Sequence, residues 1–159
     1  MTTVATTGLD TLILSLQNLY PSLKFNENDR FYWSPKTNEI FYDHQASGET
    51  AAWSLLHETG HALLEHQNYS YDYDLVLIEV EAWEKAKKIA QKFDIEIDSD
   101  HIQDCLDTYR DWLDKRCTCP TCGNKSLQDT TTGKYRCFNC ATVWTVNQDR
   151  FRRCYRKIA

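Results

Sequence analysis

Two Cys-x-x-Cys pairs, Cys119-Pro120-Thr121-Cys122 and Cys137-Phe138-Asn139-Cys140, stand fourteen residues apart in the last third of a 159-residue chain. Each such turn offers two thiolates to one ion. Two turns at this distance make the four-sulfur donor set of a structural zinc site, which leaves no coordination position open. A segment organised this way takes its fold largely from the metal. Gly123, directly after the second cysteine, allows the tight backbone. Residues 126–136 and 142–147 read as short strands, so residues 117–147 are expected to form a zinc ribbon. Cys117 is a near miss, two residues before Cys119, and the C-P-x-C-G frame favours Cys119 as the ligand. Disulfides are the competing use of the seven cysteines. Five of the seven crowd between 117 and 140 in metal-type spacing, which favours reduced thiolates on zinc. Cys105 reads as a small apolar residue of a helix, and Cys154 has no assigned role.

The chain before the ribbon has a different texture. Apolar residues make up 42% of the whole chain, with five Trp, nine Tyr and six Phe, enough for a packed core and unlike a disordered chain. Leu9, Leu12, Ile13, Leu16 and Leu19 recur at helical spacing up to Pro21. Aromatic runs at 31–33 and 39–43 flank Ser34-Pro35-Lys36-Thr37-Asn38 and predict a β-hairpin. Capping residues precede three more helical patterns, at about 50–65, 72–93 and 98–116. The expected class is α+β: a helical body of residues 1–116 with a small sheet, the ribbon at 117–147, and a basic tail at 148–159. Residues 1–114 carry 8 Lys/Arg and 21 Asp/Glu, a net −13; residues 115–159 carry 10 Lys/Arg and 2 Asp, a net +8. Opposite charges on body and ribbon suggest different partners. The first eight residues show no basic region leading into an apolar core, and residues 12–19 are too short and polar to span a bilayer. A cytoplasmic location is therefore expected, with no membrane partner.

Within the second helical pattern lies His57-Glu58-Thr59-Gly60-His61. Residues i and i+4 share one helix face, so both imidazoles can reach a single ion. Glu58, adjacent but rotated, can hold an attacking water and accept its proton, the arrangement of a zincin. Trp53, Leu56, Gly60 and Leu64 share the histidine face, so the site is expected to be partly buried. Two histidines on a structural helix are the plainer alternative.

A catalytic zinc takes three protein ligands, and the next helix offers Glu79 and Glu81. Leu75, Ala82, Ala86, Ile89 and Phe93 mark an apolar stripe at steps of three and four, and Glu79 falls within it. Glu81 falls on the charged face with Glu84, Lys85 and Lys88. A carboxylate in an apolar stripe is costly unless it is paired or metal-bound. Glu79 is therefore the expected ligand and Glu81 the fallback. His66 ranks below Glu79 and is expected to support the site or lie on the surface. Tyr69, Tyr71, Tyr73, His44 and His101 are all candidates to polarise a substrate carbonyl, and the sequence does not choose among them.

The run from Trp53 to His66, including His57-Glu58-Thr59-Gly60-His61-Ala62-Leu63-Leu64, followed by Glu79-Val80-Glu81-Ala82, resembles the ImmA/IrrE metallopeptidases. The resemblance spans roughly residues 30–95. It implies a gluzincin-like fold, a metal on the first Glu of the second motif (Glu79 here), a cytoplasmic location, and limited proteolysis of protein substrates, often transcriptional repressors. One departure is Trp83, where the family commonly has Asn or Asp, so a contact supporting a ligand is expected to be missing or replaced. Two other readings compete. A SprT/Spartan-like protease of DNA-bound proteins also joins this motif to a ribbon, but with a third histidine as ligand. A non-catalytic zinc-ribbon adaptor for nucleic acid or protein would carry a degenerate body. The basic residues of the ribbon and tail, with Tyr135, Phe138 and Trp144 read as exposed, fit nucleic-acid contact, a merely solvated module, or one that positions a protein substrate.

Overall fold

The computed structural model describes residues 8–159; the N-terminal residues 1–7, on which the expectation of no export signal rests, lie outside that range. The order of elements is α1 (Gly8–Leu19), β1 (Lys24–Asn28), β2 (Tyr32–Ser34), β3 (Glu39–Asp43), α2 (Glu49–Leu63), α3 (Asp72–Ala90) with a 3-10 turn at Gln91–Phe93, α4 (Ser99–Cys117), β4 (Tyr135–Arg136), β5 (Val143–Val146) and β6 (Arg156–Ile158). The class is α+β, with four helices and two three-stranded sheets among the described residues. No described helix is long and apolar enough to cross a membrane.

Contacts divide the chain into two units, residues 1–68 with 80–98, and residues 69–79 with 99–159. The division falls inside the continuous helix α3, between Glu79 and Val80. In the first unit the expected hairpin forms: β2 and β3 pair antiparallel, Trp33 opposite Ile40. The sheet gains a strand that the sequence does not advertise. β1, Lys-Phe-Asn-Glu-Asn, runs parallel to β3, with Phe25 opposite Ile40. Its polar residues are a poor strand signal, and its place is set by pairing with β3. Helix α2 lies against β2 and β3. The apolar stripe of α3 is buried as its period requires: Ala82, Ala86 and Ile89 are inaccessible or nearly so.

The second unit is built around a charge pair. Asp72, the first residue of α3, is buried and accepts hydrogen bonds from Arg116 Nε (2.8 Å), Arg116 Nη2 (3.3 Å) and the Tyr135 hydroxyl (2.6 Å). Its own backbone N–H donates to Gln128 Oε1 at 2.8 Å. Arg116 also donates to the carbonyl of Asn147, and the Trp144 indole N–H donates to the carbonyl of Arg116 at 2.9 Å. Burial first, and then the bond to Asp72, hold the Tyr135 hydroxyl well above the usual tyrosine range. Tyr135 and Trp144 stack at 5.4 Å between ring centroids and, with Cys119 and Cys137, form the ribbon's core.

That corrects the expectation that Tyr135 and Trp144 are exposed. So small a module has few large side chains with which to exclude water, and it uses its aromatics inward. Phe138 is exposed as expected, at 78%. The segment read as a basic tail also contributes a strand, since β6 completes the order β4-β5-β6, with Ile158 opposite Trp144.

Removing one partner of a buried pair strands the other charge, at a cost of about 3–5 kcal/mol. Asp72→Ala is expected to lower stability by that amount. Tyr135→Phe leaves the pair intact and is expected to cost only about 1–3 kcal/mol. Urea unfolding followed by fluorescence checks both, and equal midpoints for Asp72→Ala and the wild type would refute this account of the pair.

Candidate metal centres

Helix α2 is interior along its second half: Leu55, Leu56, His57, Thr59, Gly60, His61 and Ala62 are all buried, so its burial runs round the helix and takes in both histidines. At Gly60 the backbone of α3 comes close. A Cβ on Gly60 would stand 2.6 Å from the carbonyl oxygen of Ala82, so only glycine lets the two backbones approach this far. One residue on, the Trp83 ring packs against the His57 ring with centroids 4.2 Å apart. The Asn or Asp that the family resemblance leads one to expect at position 83 is thus replaced by a ring that holds His57 by contact. Glu79, one helical turn before Ala82 and Trp83, is carried to the same face.

The consequence is a convergent donor set. One ligand atom each from His57, His61 and Glu79 lie within 4.8 Å of one another, and all three residues are buried. The Nε2 atoms of the two histidines face each other at 3.1 Å, close to the spacing of about 3.3 Å expected for two imidazoles on one zinc. Two imidazoles and a carboxylate suit zinc, with a fourth position left for water or substrate. Helical phase alone favoured Glu79 over Glu81, and the two differ in burial as that reasoning requires: the Glu79 residue is 6% exposed and the Glu81 side chain 62%.

Glu81 nevertheless has a role that its exposed position hides. Its Oε2 is 3.1 Å from His66 Nε2, and His66 Nδ1 is 2.9 Å from His61 Nδ1. A carboxylate only accepts, so a neutral His66 carries its proton on Nε2 and accepts at Nδ1. His61 must then donate from Nδ1, which leaves its Nε2 lone pair directed at His57 and the candidate metal position. The pair Glu81–His66 thereby selects the tautomer of His61, as outer carboxylates commonly do for metal-bound histidines. His66 thus supports the site without joining the cluster. Its own carbonyl accepts from the Trp33 indole N–H at 3.0 Å.

Glu58, half-buried, accepts at Oε2 from the backbone N–H of Trp33 at 2.8 Å. Trp33 lies on β2, an edge strand of the sheet. Trp33 was not singled out as a site residue in the sequence, and no spacing rule links it to residues 58 and 66. Three of the five candidates for carbonyl polarisation make other contacts: His44 Nδ1 lies 3.3 Å from the Asn28 carbonyl, His101 Nε2 lies 3.6 Å from Cys105 Sγ, and Tyr69 sits edge-on to Trp112.

The second cluster is Cys119, Cys122, Cys137 and Cys140. Sγ atoms pair at 3.6 Å (Cys119 with Cys140) and 3.5 Å (Cys122 with Cys137). A tetrahedral zinc with Zn–S bonds of about 2.3 Å requires roughly 3.8 Å. The two turns repeat one design. Gly123 N–H donates to the Cys119 carbonyl and Ala141 N–H to the Cys137 carbonyl, each at 3.0 Å. Gly123 and Ala141 adopt φ of 78° and 62°, so the second turn places an alanine where the first has glycine. A hydrogen bond from the Asn124 backbone holds the Cys122 thiol down to about 6, favouring the thiolate that a metal needs. Cys117 stands apart from the cluster; its thiol lies 3.5 Å from the Asp114 carbonyl, and burial pushes its pKa up. Cys105 is half-buried on α4, with its thiol also raised by burial.

Comparison with family models, with curated proteins and with solved structures gave no match. The likeness to ImmA/IrrE therefore rests on the residues quoted above, and the two donor clusters rest on the geometry.

His66→Phe removes the acceptor that fixes His61 while keeping a ring of similar size. It is expected to weaken metal binding at the histidine site by roughly 10–100-fold. Competition with a chromophoric chelator measures this, and an unchanged affinity would show that the His66 contact does not govern the ligand.

Proposed function

We propose that this chain is a zinc-dependent endopeptidase of gluzincin type, related to ImmA/IrrE, that performs limited proteolysis of a protein substrate in the cytoplasm. The carrying observation is the convergence of His57, His61 and Glu79 beside a Glu58 whose carboxylate is already oriented. His57, His61 and Glu79 would hold a zinc ion, which would supply Lewis acidity to a substrate carbonyl and to an attacking water. Glu58 accepts the proton of that water and then delivers it to the leaving amine, the work of a general base and acid on one carboxylate. Trp33 N–H fixes the direction of Glu58. The edge strand β2, to which Glu58 is bound, is the kind of element an extended peptide joins by backbone hydrogen bonding. The four cysteines would hold a second zinc in a structural role, since four thiolates leave no position open.

Two features favour this reading over a SprT/Spartan-like one. Glu79 lies among the donors, and His66 uses Nδ1 toward His61 and Nε2 toward Glu81. A transcriptional repressor is the substrate class that the resemblance implies.

Glu58→Gln is expected to retain two zinc ions per chain and to lose cleavage by about 10²–10⁴-fold. The assay incubates wild type and variant with a repressor-like protein encoded nearby and looks for a single cut by mass spectrometry. Full cleavage by the variant would sink the mechanism. A chain that loads only one zinc, lost together with the cysteines, would instead mark it as an adaptor.

A further inference from the structure

Charge and aromatic surface gather in the second unit, on the side of α4 that faces the C-terminal segment. A cavity of about 740 Å³ lies there, walled on α4 by Trp112 and Lys115 and by residues of the C-terminal segment that include Arg150, Phe151, Arg153 and Arg156. With Arg152, five cationic side chains line it, against the carboxylates of Asp111 and Asp114. Asp114 is already paired with Lys125 Nζ at 2.5 Å. Two of the guanidinium groups, those of Arg150 and Arg156, are held by the protein. Arg150 lies 3.6 Å from the Tyr109 ring centroid, and Arg156 Nη1 donates to the Thr118 carbonyl at 2.5 Å. Arg152 and Arg153 are exposed, Arg152 with Asp149 at 3.1 Å.

Beside these cations stand large rings that the fold leaves uncovered. Phe151 is 91% exposed and Tyr155 62%. Arg150 lies 5.3 Å from the Phe151 ring and Arg153 lies 5.7 Å from the Tyr155 ring, so each aromatic face has a guanidinium next to it. An acidic peptide would use the cations and leave the rings idle. A strand of nucleotides uses both, its phosphates on the guanidiniums and its bases on the rings. The size of the cavity suits a nucleotide-sized group. Duplex readout instead sets a helix or ribbon into a groove about 12 Å wide, whereas α4 forms the wall of a concavity here.

We infer that this arginine-lined cavity, with Phe151 and Tyr155, is a binding site for single-stranded nucleic acid. The site uses none of the residues of the histidine centre and stands independently of the peptidase reading.

The test is fluorescence anisotropy with the full, zinc-loaded chain and a labelled oligothymidylate of about 16 nucleotides, a length within the known span of single-strand sites. Binding is expected to weaken with salt, each neutralised phosphate contributing about −0.7 to the log–log slope. Arg153→Ala should weaken binding several-fold and make the slope shallower by about 0.7. Phe151→Ala should weaken binding roughly tenfold and leave the slope unchanged. Both side chains are exposed, and circular dichroism with zinc content checks that the variants fold. Glu58→Gln should bind as the wild type does. Equal affinity for duplex of the same length, binding to phosphatidylserine vesicles with none to the oligonucleotide, or wild-type affinity in Phe151→Ala would each overturn the proposal.

Discussion

The contact between Gly60 and the carbonyl of Ala82 governs the histidine centre. Helix pairs ordinarily keep 8–10 Å between axes because side chains intervene. Here one side chain is missing on α2 and a small one stands opposite on α3, so backbone meets backbone. That approach brings Trp83 onto the His57 ring and Glu79 onto the histidine face. A methyl group at position 60 would collide with main chain, not with a flexible side chain that could yield. The clash would outweigh the gain of up to about 1 kcal/mol that alanine brings to a helix interior. The glycine of the five-residue motif is thus a spacing device, as necessary to the donor set as the histidines that flank it.

Much of this was legible from residue order alone, because helical phase is a local property. The boundaries of α1 to α4 follow their apolar stripes to within a few residues, although Gly48 at the N-cap of α2 supplies no side-chain cap. The same periodicity distinguished a buried Glu79 from a solvated Glu81 before any contact was known. The hairpin of β2 and β3 was likewise written in its turn residues. What was not legible depends on partners distant in sequence. β1 is a strand because β3 offers it an edge, and its own residues argue weakly for it. Glu81 looked like ordinary surface charge because nothing in its neighbourhood reveals His66, fifteen residues earlier. Trp33 reaches residues 58 and 66 only through the packing of α2 on the sheet.

The ribbon taught a different lesson. Its cysteine spacing was sufficient to foresee the four-sulfur cluster, yet not the burial of Tyr135 and Trp144, because that depends on Asp72 and Arg116, which precede the module in the chain. In a segment with hardly any aliphatic core, Tyr135 and Trp144 are the core, and their polar atoms find partners in Asp72 and Arg116. The aromatics left over, Phe138, Phe151 and Tyr155, are the ones that water sees. Burying one set and exposing another within sixty residues separates residues that hold the module together from residues that can touch something else.

The shared pair of Asp72 and Arg116 also bears on modularity. Composition suggests a cassette that begins after the last helix and could be moved between proteins as a unit. The hydrogen bonds say otherwise, since Gln128, Tyr135, Trp144 and Asn147 all close upon two residues that come before it in the chain. A graft taken from residue 117 onward would leave a phenol and an indole without the groups they bond, and the donor would keep an aspartate and an arginine freshly opened to water. The transferable piece is discontinuous: it takes in the start of α3 and all of α4, and it cannot be lifted out with a single cut.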